Sequence, residues 1–229
     1  MSIQLFCIPY AGGKASVFNQ LLPFLDEGIQ LEAIEFSGHD KRAKEPFYQS
    51  FEEMVKDTAN EINKRITADR IAIFGYSMGS VVSFEAMLGG YLDKKPEYFF
   101  FASHEAPGEH WASMEYAALD DMEFFRKIVE FGGFRKEDEA RLNNRFFRKL
   151  IYDPIRADYN LIGQYKLTDD KKLDIPATMM YSTNDVPSAD ARKWQNRFET
   201  EIEFIEMGTN HFFINDMPEK VAEIINNRI

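Results

Sequence analysis

Three residues in the stretch "GYSMG" have types and a spacing that could support acyl-transfer chemistry. Ser77 lies between Gly75 and Gly79, where the apolar run "RIAIF" (70–74) gives way to a second apolar run. A chain that turns from strand to helix at a single residue strains that residue, and small neighbours let the helix pass close to the strand. The serine hydroxyl would then stand clear of the sheet, at a helix N-terminus, where it could attack a carbonyl carbon.

A serine hydroxyl needs a base and an orienting acid before it can act as a nucleophile near neutral pH. Asp185, in "YSTND", directly follows the apolar run at 177–182, and His211, in "NHFF", follows the run at 201–207. This order of serine, acid and histidine, each after a strand, is that of the α/β-hydrolase fold. We therefore predict a triad of Ser77, Asp185 and His211. The alternatives are a helix cap for Asp185 and an ordinary loop position for His211.

The other three histidines fit this order less well. His39 follows the second predicted strand, His104 follows the fourth, and His110 stands beside Trp111. Each could touch a substrate, but we expect them to be structural or surface groups.

Acyl transfer also needs hydrogen-bond donors for the oxyanion that forms on the carbonyl oxygen. The backbone N–H of Met78, directly after the serine, is the first predicted donor. The second is expected from the loop after the first strand, "PYAGGKASVF" (9–18), with Ala11 preferred and Tyr10 as the alternative. Gly12 and Gly13 in this loop also suggest a phosphate loop, but neither a Walker lysine nor a G-x-G-x-x-G pattern accompanies them.

These residues need a sheet that brings the strand ends together. Six short apolar runs are typical of strands, and helical patterns separate them: 3–8, 31–36, 70–74, 98–103, 177–182 and 201–207. The helix at 50–66 is expected to begin with Ser50 and Glu53 as a capping box. Such alternation predicts an α/β fold, a mostly parallel sheet with helices on both faces. With the strand order 2-1-3-4-5-6, the glycine-rich loop would lie beside Ser77.

The interval between the fourth and fifth strands is far longer than an ordinary crossover. It contains two aromatic, amphipathic segments with helical periodicity, at 119–131 and 144–165. We predict that residues 1–229 form one domain with a helical insertion at about 107–165, which acts as a lid over an acyl pocket.

Composition restricts the classes of function. The formal net charge of −11 disfavours a nucleic-acid partner, which would need clustered basic surface. The chain has a single cysteine, Cys7, so an internal disulfide is impossible and a reducing compartment fits. No apolar run predicts a signal peptide or a membrane span, so we expect a cytoplasmic protein without a membrane partner.

The quoted motifs together closely resemble those of the type II (external, editing) thioesterases, α/β-hydrolases that work beside non-ribosomal peptide and polyketide synthases. "PYAGG" resembles the oxyanion loop of this family, "GYSMGS" its G-H-S-M-G motif and "NHFF" its histidine motif. The resemblance continues through "HEAP" (104–107), "GGF" (132–134), "PIRADYNLI" (154–162) and "KWQNRF" (193–198). Two departures are Tyr76, where the family often has histidine, and "SGHDKR" (37–42), where it has P-G-R-G-x-R.

The resemblance implies hydrolysis of an acyl or aminoacyl thioester on the phosphopantetheine arm of a carrier domain, as part of antibiotic biosynthesis. The arm belongs to the partner, so the enzyme itself needs no cofactor and no metal. Carrier domains of this kind are generally acidic, which predicts docking against local basic residues. The candidates are Arg145, Arg148, Lys149 and Arg156 in the insertion, and Lys41, Arg42 and Lys44 after the second strand.

Two other functions remain open at this point. A free-standing carboxylesterase would share the triad and the fold, although the family-like insertion argues against it. A catalytically silent α/β-hydrolase that serves as a ligand receptor would keep the pocket.

Overall fold

The fold is built on a six-stranded sheet. The structure is a computed structural model that describes residues 2–208 and 210–229. All five strand pairs are parallel, and the order is β2-β1-β3-β4-β5-β6, as the sequence predicts. The strands are β1 (Ile3–Ile8), β2 (Ile29–Ala33), β3 (Arg70–Tyr76), β4 (Tyr98–Ala102), β5 (Ala177–Ser182) and β6 (Glu203–Gly208). Because the strands are parallel, the loops that carry the candidate residues all leave from one edge of the sheet.

Alternate side chains of the strands supply two separate hydrophobic cores, one on each face. Along β1, for example, Phe6 and Ile8 belong to one core, and Leu5 and Cys7 to the other. The helices α1 (Phe51–Asn63) and α2 (Met78–Leu88) cover the first face, and α8 (Pro218–Asn226) with the 3₁₀ helix Ala15–Phe24 covers the second. At the start of α1, the Ser50 side chain accepts the N–H of Glu53, as predicted. The Glu53 carboxylate accepts the N–H of Gln49 rather than that of Ser50, so the reciprocal half of the predicted capping box does not form.

The long interval between β4 and β5 is folded, and it contributes a third hydrophobic cluster of its own. Its elements are the 3₁₀ helices Ala112–Ala118 and Lys136–Asn143, α3 (Asp121–Glu130), α4 (Arg145–Phe147), a π-helical turn (Arg148–Tyr152) and α5 (Asp153–Ile162). We call this segment, residues 112–162, the insertion. The remaining short helices are α6 (Ser188–Ala191), α7 (Phe213–Asp216) and the 3₁₀ helices Asp40–Arg42 and Arg192–Arg197. No helix in the described part of the chain is long and apolar enough to cross a membrane.

Candidate active site

The turn that carries Ser77 has the geometry predicted by its flanking glycines. Ser77 lies between β3 and α2 with φ 52° and ψ −121°, a strained conformation for a residue other than glycine. A Cβ atom at Gly79 would lie 2.2 Å from the carbonyl oxygen of Ile8, and one at Gly75 would lie 2.5 Å from that of Gly79. The two glycines therefore allow α2 to start directly against the ends of β1 and β3.

His211 and Asp185 form a hydrogen-bonded pair at the same edge of the sheet. His211 Nδ1 lies 2.8 Å from Asp185 Oδ1, and the side chains are 15 % and 6 % exposed. Because a carboxylate accepts hydrogen bonds, Nδ1 carries a proton, which leaves Nε2 as the ring nitrogen that can accept one. Asp185 Oδ2 is buried and has no partner among the described residues.

Ser77 and His211 meet in one cavity of about 290 Å³, whereas Asp185 stands behind the histidine and does not line it. Within the described residues, no hydrogen bond joins Ser77 Oγ to the His211 ring. Such bonds are often long before a substrate is bound. The structure thus brings two of the three predicted residues to a common cavity and holds the third against the second.

The loop after β1 forms a tight turn beside Ser77. Gly13 N–H donates to the carbonyl of Tyr10 at 2.8 Å, and Gly12 has φ +71°, the pattern of a type II turn. Tyr10, Ala11 and Gly12 all line the cavity.

Among the described residues, the N–H groups of Met78, Ala11 and Tyr10 donate to no acceptor in the protein, whereas the N–H of Gly12 is bonded to Asp158 at 2.7 Å. The predicted donors Met78 and Ala11, and the alternative Tyr10, therefore all have N–H groups without a protein acceptor, and of these three residues Tyr10 and Ala11 line the cavity.

Sequence reasoning missed the residues that hold the loop of His211. The hydroxyl of Tyr76 donates to the backbone carbonyl of His211 at 2.7 Å, and Ser103 Oγ donates to the same carbonyl at 3.1 Å. Burial raises the pKa of Tyr76 well above its usual range, so the hydroxyl stays protonated. The sequence contained one signal for this contact, because position 76 has a tyrosine where the family often has a histidine. A side chain of a different type beside the proposed nucleophile makes different hydrogen bonds.

The other histidines lie outside the cavity wall. His39 is buried and bonded to Asp158, with 3.0 Å between Nε2 and Oδ2. His104 is buried beside Trp111, and burial lowers its pKa. His110 is exposed and pairs with Glu115 at 3.2 Å. The predicted structural or surface roles fit these positions.

The insertion supplies much of the cavity wall. Its contributing side chains are Ile128, Phe131, Phe134, Ile151, Ile155 and Tyr159. The ring of Phe131 stands edge-on to the ring of His211, with 6.1 Å between the ring centres. An acyl group held by Ser77 would therefore lie against aliphatic and aromatic side chains of the insertion. Within the described residues, no group of three or more His, Cys, Asp or Glu side chains is placed to hold a metal ion.

Comparisons with known proteins agree with the resemblance found in the motifs. The family model for the thioesterase domain matches residues 3–229. The gramicidin S biosynthesis protein GrsT of Aneurinibacillus migulanus is 27% identical, over 97% of this chain and 87% of its own length. The thioesterase PikA5 of Streptomyces venezuelae is 24% identical, over 100% and 81%.

A crystal structure of ClbQ, from the colibactin NRPS/PKS pathway, superimposes with a TM-score of 0.87 at 24% identity, over 100% of this chain and 97% of that chain. The six-stranded parallel sheet and its helices are therefore those of the α/β-hydrolases. With a family model that spans almost every residue, the chain belongs to the thioesterase domain family.

Proposed function

We propose that this protein is a serine thioesterase that removes acyl or aminoacyl groups from the phosphopantetheine arm of carrier domains in a non-ribosomal peptide or polyketide synthase. One observation carries the proposal: a single cavity is lined by Ser77, by the paired His211 and by Tyr10 and Ala11, whose backbone N–H groups have no protein acceptor among the described residues. The relatives named for gramicidin S and colibactin pathways support the choice of substrate.

The chemistry assigns one role to each group. Ser77 Oγ attacks the thioester carbonyl carbon while His211 Nε2 takes its proton, and Asp185 keeps the imidazole in the required tautomer. The negative charge on the carbonyl oxygen is met by the N–H groups of Met78 and Ala11. The thiolate leaves with the proton from His211, and a water molecule, activated by the same histidine, then hydrolyses the acyl-serine ester.

The insertion acts as the lid of this site and contributes the acyl-binding wall. The reaction uses no metal and no cofactor of the chain itself, because the phosphopantetheine arrives with the carrier domain. The partners are thus a carrier domain and its acyl group.

The decisive experiment compares three substrates: an acyl-carrier thioester, a small free acyl thioester and the matching oxygen ester. We expect the carrier thioester to give the highest kcat/KM, and Ser77→Ala to lower it by at least about 10⁴-fold, with His211→Ala nearly as severe. Ser16→Ala, at an exposed serine, is the matched control and should leave the rate unchanged.

Each alternative has its own result. Preference for the oxygen ester would indicate a carboxylesterase. A protein that binds acyl ligands but hydrolyses none of the three substrates would be a receptor. Wild-type rates in Ser77→Ala would refute the assignment altogether.

A further inference from the structure

A buried ion pair outside the proposed triad joins the insertion to the turn after β1. Asp158, in α5, accepts two hydrogen bonds on the same oxygen, from Gly12 N–H at 2.7 Å and from His39 Nε2 at 3.0 Å. The side chains of His39 and Asp158 are each 2 % exposed. Burial of a charged pair costs folding free energy unless the remaining polar groups of the pair are also hydrogen-bonded.

The hydrogen bonds determine the protonation of the His39 ring. Nδ1 lies 3.0 Å from the carbonyl oxygen of Ser37, which can only accept a hydrogen bond. Nε2 faces the Asp158 carboxylate, which also accepts. Both ring nitrogens therefore act as donors, and His39 is an imidazolium paired with a carboxylate.

The electrostatics around His39 agree with this geometry. Burial alone would lower the pKa of His39, but the charge and hydrogen bond of Asp158, the Ser37 carbonyl and the charge of Glu35 together raise it. Phe36 and Phe47, which also pack on the ring, carry no charge.

The pair holds three segments that are distant in sequence. Asp158 belongs to α5, His39 to the loop after β2, and Gly12 to the type II turn that contains Ala11. Ile155, one helical turn before Asp158, covers the same glycine: a Cβ atom at Gly12 would lie 1.9 Å from Ile155 Cγ1. One face of α5 therefore contacts the type II turn at residues 10–13, which we call the oxyanion turn, through the apolar side chain of Ile155 and the carboxylate of Asp158.

We propose that His39 and Asp158 are positioning residues that fix the oxyanion turn only while α5 is docked, so that closure of the insertion and stabilisation of the oxyanion are coupled. This inference rests on the proposed function, because it concerns the turn that supplies Ala11. Asp158 engages the N–H of Gly12, in the central peptide of the turn, and so holds the neighbouring N–H of Ala11 beside Ser77.

The coupling is expected to affect kcat more than KM. The charge on the oxygen develops only in the transition state, so a loosened turn lowers kcat and leaves KM nearly unchanged. Without α5 against the turn, the N–H of Gly12 would have no acceptor and the turn would lose this support.

Three variants separate positioning from structural support. Asp158→Asn keeps an acceptor for Gly12 N–H and removes the charge. Asp158→Leu removes the acceptor and leaves His39 with an unpaired donor. The double variant His39→Leu with Asp158→Leu removes that buried donor as well, so it should unfold at a higher temperature than Asp158→Leu alone.

Hydrolysis of a small free acyl thioester is the assay, because it involves no carrier docking. We expect kcat of Asp158→Asn within about threefold of wild type, and kcat of Asp158→Leu and of the double variant at least about tenfold lower, with KM within about twofold. If kcat instead recovered in the double variant along with the melting temperature, the pair would be merely structural and the proposal overturned.

Nuclear magnetic resonance tests the pair without any turnover. In the Ser77→Ala protein, both ring N–H groups of His39 should be visible at neutral pH, and Asp158→Leu should remove at least one of them. A single ring N–H of His39 in the Ser77→Ala protein would contradict the ion pair of His39 and Asp158.

The two proposals fail in different ways. A wild-type protein inactive on every thioester would refute the proposed function, and this inference with it. An active wild type with an equally active Asp158→Leu would refute this inference alone.

Discussion

The carbonyl of His211 is held by two hydroxyl groups from neighbouring strand ends. Tyr76 precedes the proposed nucleophile and Ser103 follows β4, so the loop of His211 is tied to the turn of Ser77 and to β4. Tyr76 also accepts the N–H of Ile214 at 3.4 Å. A histidine at position 76 could not place a hydroxyl there, so in this chain a tyrosine holds the loop of the proposed base.

The variant Tyr76→Phe tests that role. It leaves the N–H of Ile214 without its acceptor and the His211 carbonyl with one donor. We expect the free energy of unfolding to fall by about 1–3 kcal/mol and kcat to fall several-fold, as measured by urea denaturation and thioester hydrolysis.

Tyr98→Phe is the matched control. Its hydroxyl bonds Thr178 Oγ1 at 2.8 Å, near the opposite ends of β4 and β5. This variant should lose some stability with little effect on kcat. Equal kcat in both tyrosine variants would contradict a positioning role for Tyr76.

The candidate residues that follow a local rule were predictable from the sequence. Gly75, Ser77 and Gly79 satisfy a steric rule that operates within five residues, and Asp185 and His211 follow strands recognisable by their apolar runs. The pair of His39 and Asp158 lies 119 residues apart. No local pattern predicts a hydrogen bond between two such segments, because it depends on how the insertion docks.

At the scale of elements, the four basic residues of the insertion that are candidates for carrier docking divide into two groups. Arg148 pairs with Asp121 at 3.0 Å and stacks over Tyr152, and Arg156 donates to the backbone carbonyl of Leu119 at 2.6 Å. Arg145 and Lys149 are exposed and have no ion pair among the described residues. The first group holds the insertion together through these contacts, so of the four residues we expect Arg145 and Lys149 to be the ones that meet a carrier domain.

Docking is tested with the double variant Arg145→Glu and Lys149→Glu. We expect kcat/KM for an acyl-carrier thioester to fall several-fold, most strongly at low ionic strength, because exposed charges act mainly on the encounter rate. Hydrolysis of a small free thioester should hardly change.

The matched control is Lys95→Glu with Lys172→Glu. These lysines line a groove that precedes β4 and β5, at the opposite end of the strands. The change in net charge is the same, so an equal loss in the control would remove Arg145 and Lys149 from the docking site.

The acyl preference is expected to depend on Ile151, a half-buried residue of the π-helical turn that lines the cavity. Ile151→Ala should shift preference toward longer acyl chains, and Ile151→Phe toward shorter ones, by at least about tenfold in relative kcat/KM per methylene. Measurement uses a series of straight-chain acyl thioesters. Leu142→Ala, in the core of the insertion but away from the cavity, should leave the preference unchanged. Identical preferences in all three variants would refute the lid assignment.

The bounds of the elements differ from prediction for identifiable reasons. The segment 144–165 has helical periodicity, but the structure interrupts it with a π-helical turn at Arg148–Tyr152, in which Asp153 N–H bonds the carbonyl of Arg148. Pro154 explains it, because proline cannot donate to the carbonyl four residues earlier and its ring crowds that group. The second strand ends at Ala33 rather than at 36. Ile34 and Phe36 lie beyond the strand but are buried in the core of the first face, which accounts for the longer apolar run.

At the scale of the molecule, the buried imidazolium makes stability depend on pH. Folding raises the pKa of His39, so its contribution is fully present below the unfolded pKa of about 6.5 and is lost as pH rises through the folded value. We therefore expect wild type to exceed Asp158→Asn in free energy of unfolding at low pH, with the difference shrinking at higher pH.

Urea denaturation at several pH values between about 5 and 9 measures this difference. Burial also raises the pKa of Glu35, but both proteins contain Glu35, so its effect cancels in the comparison. A difference that stays constant with pH would show that His39 is not charged in the folded protein.

The insertion has its own hydrophobic cluster, in which Phe124, Phe125, Phe134 and Tyr152 pack together, separate from the two cores of the sheet. Residues inside such a cluster can be replaced in concert without disturbing the strands that present Ser77, Asp185 and His211. Over evolutionary time, the wall that meets the acyl group and the groups proposed to cleave it are thus free to change at different rates. A lineage can acquire a new acyl specificity by rebuilding this cluster, provided that it keeps the contacts of Ile155 and Asp158 with the turn after β1.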